Sequence, residues 1–313
     1  MRASALLQLF TAQHKRAVMI GDDDHGVIAG LDLECRLYPV FHGDVLVRVN
    51  PAAICGIGSP AAYLNPGGDG LWPAPEGTTC GYHYATGVWR VPPGLTGARW
   101  VAMIDHRQQA RLTADIDLVN AQGIGIPLQG ERLIEIRAQL DGLSIVVEEA
   151  FTYRGTITRN QRECRLAPWT LCQFDCGPGC ETVFPDAGPG CVWDLYGPSD
   201  QQRRVVDGMW HVRTDGTNRF QLGVSAAVPW IEFHDPSRKL RVRRSAGELP
   251  VGHAFIDIAD RAAHEIADPR GCRYSIYSDA SGFMEIEAAG GMPVSLCPGV
   301  RLAVTVTTDY HCD

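Results

Sequence analysis

Ile134-Glu-Ile-Arg-Ala-Gln-Leu-Asp-Gly-Leu-Ser-Ile-Val-Val147 decides what kind of chain this is. Ile134, Ile136, Ala138 and Leu140 alternate with Glu135, Arg137 and Gln139, a period of two that sends one set of side chains to each face of a strand. Asp141-Gly142 supplies a tight turn, and Leu143, Ile145 and Val147 resume the alternation, so the stretch predicts a β-hairpin. Working outward, the pattern recurs in Phe220-Gln-Leu-Gly-Val224, in Trp230-Ile-Glu-Phe233 and, past the His234–Arg238 turn, in Leu240-Arg-Val242. Tyr274 to Tyr277 and Phe283 to Glu287 flank a second turn, and Leu302 to Val306 follows Pro298-Gly299. Thirty-four glycines and 20 prolines in 313 residues suit many short strands rather than long helices. Helical spacing is confined to residues 3–17 and 260–267, and 176–200 reads as loop. The expectation is all-β: one antiparallel domain over 1–313, a sandwich, with 1–20 as an N-terminal helix or strand extension.

Charge narrows the partners. With 28 basic and 36 acidic residues the formal net charge is -8, and a nucleic-acid binder needs the opposite balance to displace counterions from phosphates. No run reaches the roughly 18 apolar residues of a membrane span. The apolar start, Met1 to Phe10, is cut by Gln8 and then by Gln13, His14, Lys15 and Arg16, with no small-residue cleavage site, so a cytoplasmic chain is expected. Nothing in the sequence signals an oligomeric state. The 11 cysteines are odd in number, in a chain long enough to build its own core. Cys172, Cys176, Cys180 and Cys191 could offer four thiolates to zinc, but the stretch lacks paired CxxC knuckles; reduced cysteines and no metal are expected. Gly56-Ile-Gly58 lacks the third glycine of a dinucleotide fingerprint, and Asp22-Asp-Asp-His25 reads as a solvated turn rather than a cation site.

The segment richest in chemistry is Leu64-Asn-Pro-Gly-Gly-Asp-Gly-Leu-Trp-Pro-Ala-Pro-Glu-Gly77. Glycine and proline predict an irregular rim backbone. Asn65, Asp69 and Glu76 supply hydroxyl partners, and Trp72 a flat apolar face for the C–H side of a pyranose; the alternative is that Trp72 covers the core while the acids cap turns. Tyr82-His83-Tyr84 and Trp89 follow closely.

The Gly67 to Glu76 run resembles the signature of an uncharacterised bacterial domain family grouped with galactose-mutarotase-like proteins. Leu166-Ala-Pro-Trp169-Thr, Met284-Glu-Ile-Glu287 and Leu296-Cys-Pro-Gly299 agree with it in order and position. The resemblance spans about residues 40 to 310 and implies a galactose-mutarotase-like β-supersandwich with a sugar or sugar derivative on one sheet face. Relatives include aldose 1-epimerases, which use a glutamate to take the anomeric proton, a histidine to protonate the ring oxygen, and no cofactor. On that analogy Glu285 is the base, with His83 and His211 the leading candidates for the acid and His106 and His234 behind them. Asn65, Asp69, Trp72, Glu76, Trp169 and Glu287 then bind substrate. The chain departs from the epimerase pattern in two respects: Glu287 stands where an amide is usual, and neither histidine motif is reproduced, Pro168-Trp169 occupying the mid-chain position. An epimerase acting at C1, a non-catalytic sugar-binding protein, and a polysaccharide lyase or hydrolase on the same fold all remain open. Strand alternation puts Phe283, Glu285 and Glu287 on one face and Met284 and Ile286 on the other.

Overall fold

In the computed structural model, which describes residues 1–56, 63–88 and 90–312, the strands Gly125–Gln139 and Gly142–Tyr153 pair antiparallel as the opening stretch predicts. Gly58 and Trp89 lie outside the described residues. The hairpin turns one residue earlier than expected: Gln139 pairs with Gly142, so Leu140 and Asp141 form the loop and Leu140 is 92% exposed. Ala138 is exposed as well, because the hairpin tip projects beyond the core that buries Ile134 and Ile136.

Two ten-stranded antiparallel sheets carry the fold. One, called here the site sheet, runs Val18–Gly21, His25–Gly30, Arg36–Phe41, Asp69–Ala74, Ala167–Asp175, Phe283–Ala289, Tyr274–Asp279, Phe220–Val224, Val192–Tyr196, with Asp44–Val45 paired off this path to Arg36–Phe41. The second runs Arg203–Val206, Met209–Arg213, Glu181–Pro185, Ile231–Asp235, Leu240–Ala246, Arg301–Cys312, Gly142–Tyr153, Gly125–Gln139, Gln109–Val119, Val101–His106. Leu71, Phe174, Met284 and Ile286 of the site sheet and Val242, Tyr310, Ile134 and Phe151 of the second are buried in the core that joins the sheets. The chain is therefore an all-β sandwich.

The N-terminal extension is both of the expected forms in succession. Ala3–Ala12 is a helix whose Ala3, Leu6 and Phe10 are buried, spaced to share one face, and Val18–Gly21 is an edge strand of the site sheet. Asp22 turns the chain there, its Oδ1 accepting the N–H groups of Asp24 and His25 at 2.9 Å. Two expectations fail. Residues 260–267 are not helical: the backbone carbonyls of Arg261 and Glu265 accept the N–H groups of Thr78 and Thr79, which ties the segment to the Gly-rich stretch as irregular chain. Residues 176–200 hold two strands, Glu181–Pro185 and Val192–Tyr196, separated by the Gly- and Pro-rich turn that dominates their composition.

All 11 cysteines are free thiols, and among the described residues no three His, Cys, Asp or Glu side chains gather as ligands would. Cys172 sits between the sheets against the Tyr310 hydroxyl, and Cys191 contacts Asp186. Among the described residues no helix is long and apolar enough to cross a membrane.

Candidate functional site

Register builds the site. Met284 and Ile286 are fully buried between the sheets, which turns Phe283, Glu285 and Glu287 to the opposite face of the site sheet. Antiparallel pairing sets Gln173 beside Glu285 and Leu171 beside Glu287 on one flank, and Tyr277 and Ser275 on the other. One strand further out, Gln221 pairs with Tyr277, and Trp72 pairs with Trp169. These side chains project from neighbouring strands onto a single face. There all of them but Ser275 line a cavity of about 740 Å³, counting its open mouth, completed by Arg36, Tyr63, Asn65, Glu76, Tyr196, Arg219 and Asp260.

The two glutamates are the chemical centre. Gln173 donates from Nε2 to Glu285 Oε1 at 2.5 Å. Glu287 accepts Trp169 Nε1–H at 3.0 Å, Gln221 Nε2–H at 3.2 Å and the Ser275 hydroxyl. Glu285 is 8% exposed and Glu287 1%, so Glu285 is the one that meets the cavity more openly. Burial, and after it the neighbouring Glu285 carboxyl, lifts Glu287 well above the usual carboxylate range. Burial raises Glu285 too, against the Arg36 charge and the Gln173 amide, which favour its ionised form. Burial and the closeness of the two carboxyls therefore favour a proton shared by the pair, and Glu287 is its better seat.

Arg36 is fully buried and pairs with Glu34 at 3.1 Å. Its guanidinium carbon lies 5.1 Å from the centre of the Trp72 ring. The bare backbone of Gly70 makes room for it: a Cβ there would meet the Arg36 guanidinium carbon at 2.7 Å. Arg36 Nη1 and Gln173 Oε1 are buried with no hydrogen-bond partner among the described residues, one donor and one acceptor at a cavity built to be filled.

Six of the nine residues expected at the site come together here: Asn65, Trp72, Glu76, Trp169, Glu285 and Glu287. Three do not. Asp69 belongs to the regular strand Asp69–Ala74, where alternation turns it inward, between the sheets; both its oxygens are held by Arg244, at 2.8 and 3.2 Å. His83 lies beneath Trp72 rather than in the cavity, its Nε2 accepting the Trp72 Nε1–H, with the rings stacked 5.5 Å apart. Burial drives its pKa down to about 3, so it is a neutral acceptor that fixes the indole and not an imidazolium acid. His211 is on the second sheet, 3.1 Å from Glu181; His234 and His106 belong to that sheet as well. Trp72 itself is in a strand and 4% exposed, so it forms part of the cavity wall and not an irregular rim.

Arg36, Tyr63, Gln173, Tyr196, Arg219, Gln221, Asp260 and Tyr277 were not singled out from sequence. A signal existed for one of them: Gln221 is the lone polar residue of a strand that is otherwise apolar, and a polar side chain there is either an outward face or a site.

No protein-family model matches this chain, and no curated protein sequence does. Its likeness is to solved structures. The Slr1438 protein of Synechocystis superposes with a TM-score of 0.60 at 13% identity, over 95% of this chain and 96% of that one. A galactose mutarotase-like protein of Lactobacillus casei gives 0.58 at 11%, over 95% and 100%. A galactose mutarotase-like protein of Clostridium acetobutylicum gives 0.55 at 9%, over 96% of both chains. At such identity the agreement concerns architecture, and it extends from end to end: this chain has the galactose-mutarotase-like fold.

Proposed function

We propose that the protein binds a sugar in this cavity and interconverts its anomers at C1. The observation that carries the reading is the buried Glu285–Glu287 pair, flanked by the indoles of Trp72 and Trp169 and by an array of amide and hydroxyl groups. Indole faces suit the C–H side of a pyranose, and the amides suit its hydroxyls. Glu285, the more open carboxylate with Arg36 favouring its charge, takes the proton of the anomeric hydroxyl. Glu287, kept protonated by burial and by Glu285, supplies the acid that a histidine supplies in aldose 1-epimerases. The ring opens, the aldehyde turns about its C1–C2 bond, and reclosure returns both protons.

A second reading, sugar binding without turnover, draws on one observation: no histidine lines the cavity among the described residues. Saturation-transfer NMR with a panel of free hexoses separates the two. Transfer to the sugar together with exchange between α and β anomer signals supports the epimerase; transfer without exchange supports the binding protein; neither one refutes a sugar site.

A further inference from the structure

Charge around the cavity is one-sided. Glu76, Asp260, Glu285 and Glu287 line it, against Arg36 and Arg219. Neither cation is available in full. Arg36 is paired with Glu34, and Arg219 lies 4.0 Å from Asp279 while donating to the Tyr277 and Tyr196 hydroxyls at 2.9 and 3.2 Å. Counting the paired acids, six carboxyls face two guanidiniums. With one proton on the Glu285–Glu287 pair, five negative charges stand against two positive. Glu76 is close enough to act electrostatically on both Glu287 and Tyr84, and the Tyr84 hydroxyl donates to Asp260 at 2.5 Å, so one wall gathers three carboxyls, with Arg219 beside them.

The unmatched polar atoms have a different character. Arg36 Nη1 carries N–H donors and Gln173 Oε1 is an acceptor, both without a partner among the described residues, on side chains 1% and 0% exposed. A hydroxyl both accepts and donates, so sugar hydroxyls suit donor and acceptor alike. A phosphate or carboxylate satisfies the donor alone and presses its charge on the amide oxygen and the surrounding acids. Placing an unmatched anion among carboxylates on these buried side chains is costly.

We infer that the cavity selects sugars by charge: uncharged and amino sugars enter, while phosphorylated and carboxylated sugars are turned away. The inference rests on the sugar-binding reading above and adds the substrate class to it.

Titration calorimetry tests it with glucose, galactose, glucosamine and galactosamine, each set against the 6-phosphate and the uronate of the same ring. The expected result is that the neutral and amino sugars bind at least about tenfold more tightly than their anionic counterparts. Added salt narrows the gap, because the mouth is open to solvent. The double variant Glu76→Gln, Asp260→Asn narrows it further, by gaining affinity for the anionic sugars. A 6-phosphate or uronate that binds as tightly as its parent overturns the charge rule and leaves the sugar site standing. If no sugar in the panel binds to folded protein, both fall.

Discussion

Of the eight buried carboxylic side chains among the described residues, four show two ways of holding a buried acid. Between the sheets, Asp69 is gripped by Arg244 and Glu149 by Arg132, the latter through contacts of 2.6 to 3.2 Å. Both arginines belong to the second sheet and also hold the site sheet from behind: Arg132 Nη1 donates to the carbonyls of Cys35 and Asp69, and Arg244 to the Thr170 hydroxyl. In the cavity, by contrast, Glu285 and Glu287 have no guanidinium in hydrogen-bonding contact among the described residues, and a shared proton leaves the pair with a single negative charge. A carboxylate matched by a cation is architecture; one matched by a proton can give it up. The ion pairs fix the strands that display Trp72 and Trp169, and the proton pair faces the space they enclose.

The largest expected effect follows from breaking an ion pair. Arg244→Ala strands the buried Asp69 charge and should cost about 3–5 kcal/mol of stability in urea unfolding. Glu287→Gln removes a carboxyl that is itself unfavourably placed, so its loss should be far smaller. The opposite ranking would erase the distinction between the two regions.

The pH dependence of stability sharpens it. Glu287 keeps its proton in the fold above the ordinary value of 4.5, where the unfolded chain releases it. The folded state therefore binds more protons, and stability falls as pH rises from about 4.5 towards the raised value. Glu287→Gln should flatten that limb. His83 works in the opposite sense: its pKa is depressed from 6.5 to about 3, so the unfolded chain binds the extra proton and stability falls as pH drops through that window. An unfolding series in which Glu287→Gln leaves the upper limb unchanged contradicts the proton pair.

The smallest effect is local. Trp72→Phe keeps a ring in the wall but removes the N–H that His83 accepts, and losing that buried hydrogen bond should cost about 0.5–1.5 kcal/mol. A neutral substitution would mean that the indole is not anchored in this way.

How far the sequence speaks differs between these same regions. The alternation of Phe283 to Glu287 is enough to set both glutamates on one face, because apolar Met284 and Ile286 can only turn to the core. For Asp69 the same rule points inward, but the glycines and prolines around it read as loop, so its alternation carries no signal until the strand is seen. Its partner Arg244 is 175 residues away, beyond any local pattern. Arg36, Arg219 and Gln221 reach the cavity only through the order of the strands. His83 illustrates the remaining gap: a histidine near a glycine-rich segment fits an acid by position, and burial makes it a neutral support for Trp72.

The central claim is that Glu285 is the base of an anomer exchange. Its most direct test is the exchange rate between α and β signals of a bound hexose, followed by NMR across pH in the parent protein and in Glu285→Gln. The parent rate should rise as the Glu285 carboxyl loses its proton, at a pH above the ordinary carboxylate range. The Glu285→Gln rate should be lower by at least about a hundredfold, with sugar affinity within a few-fold of the parent. A Glu285→Gln protein that exchanges anomers at the parent rate would contradict the claim.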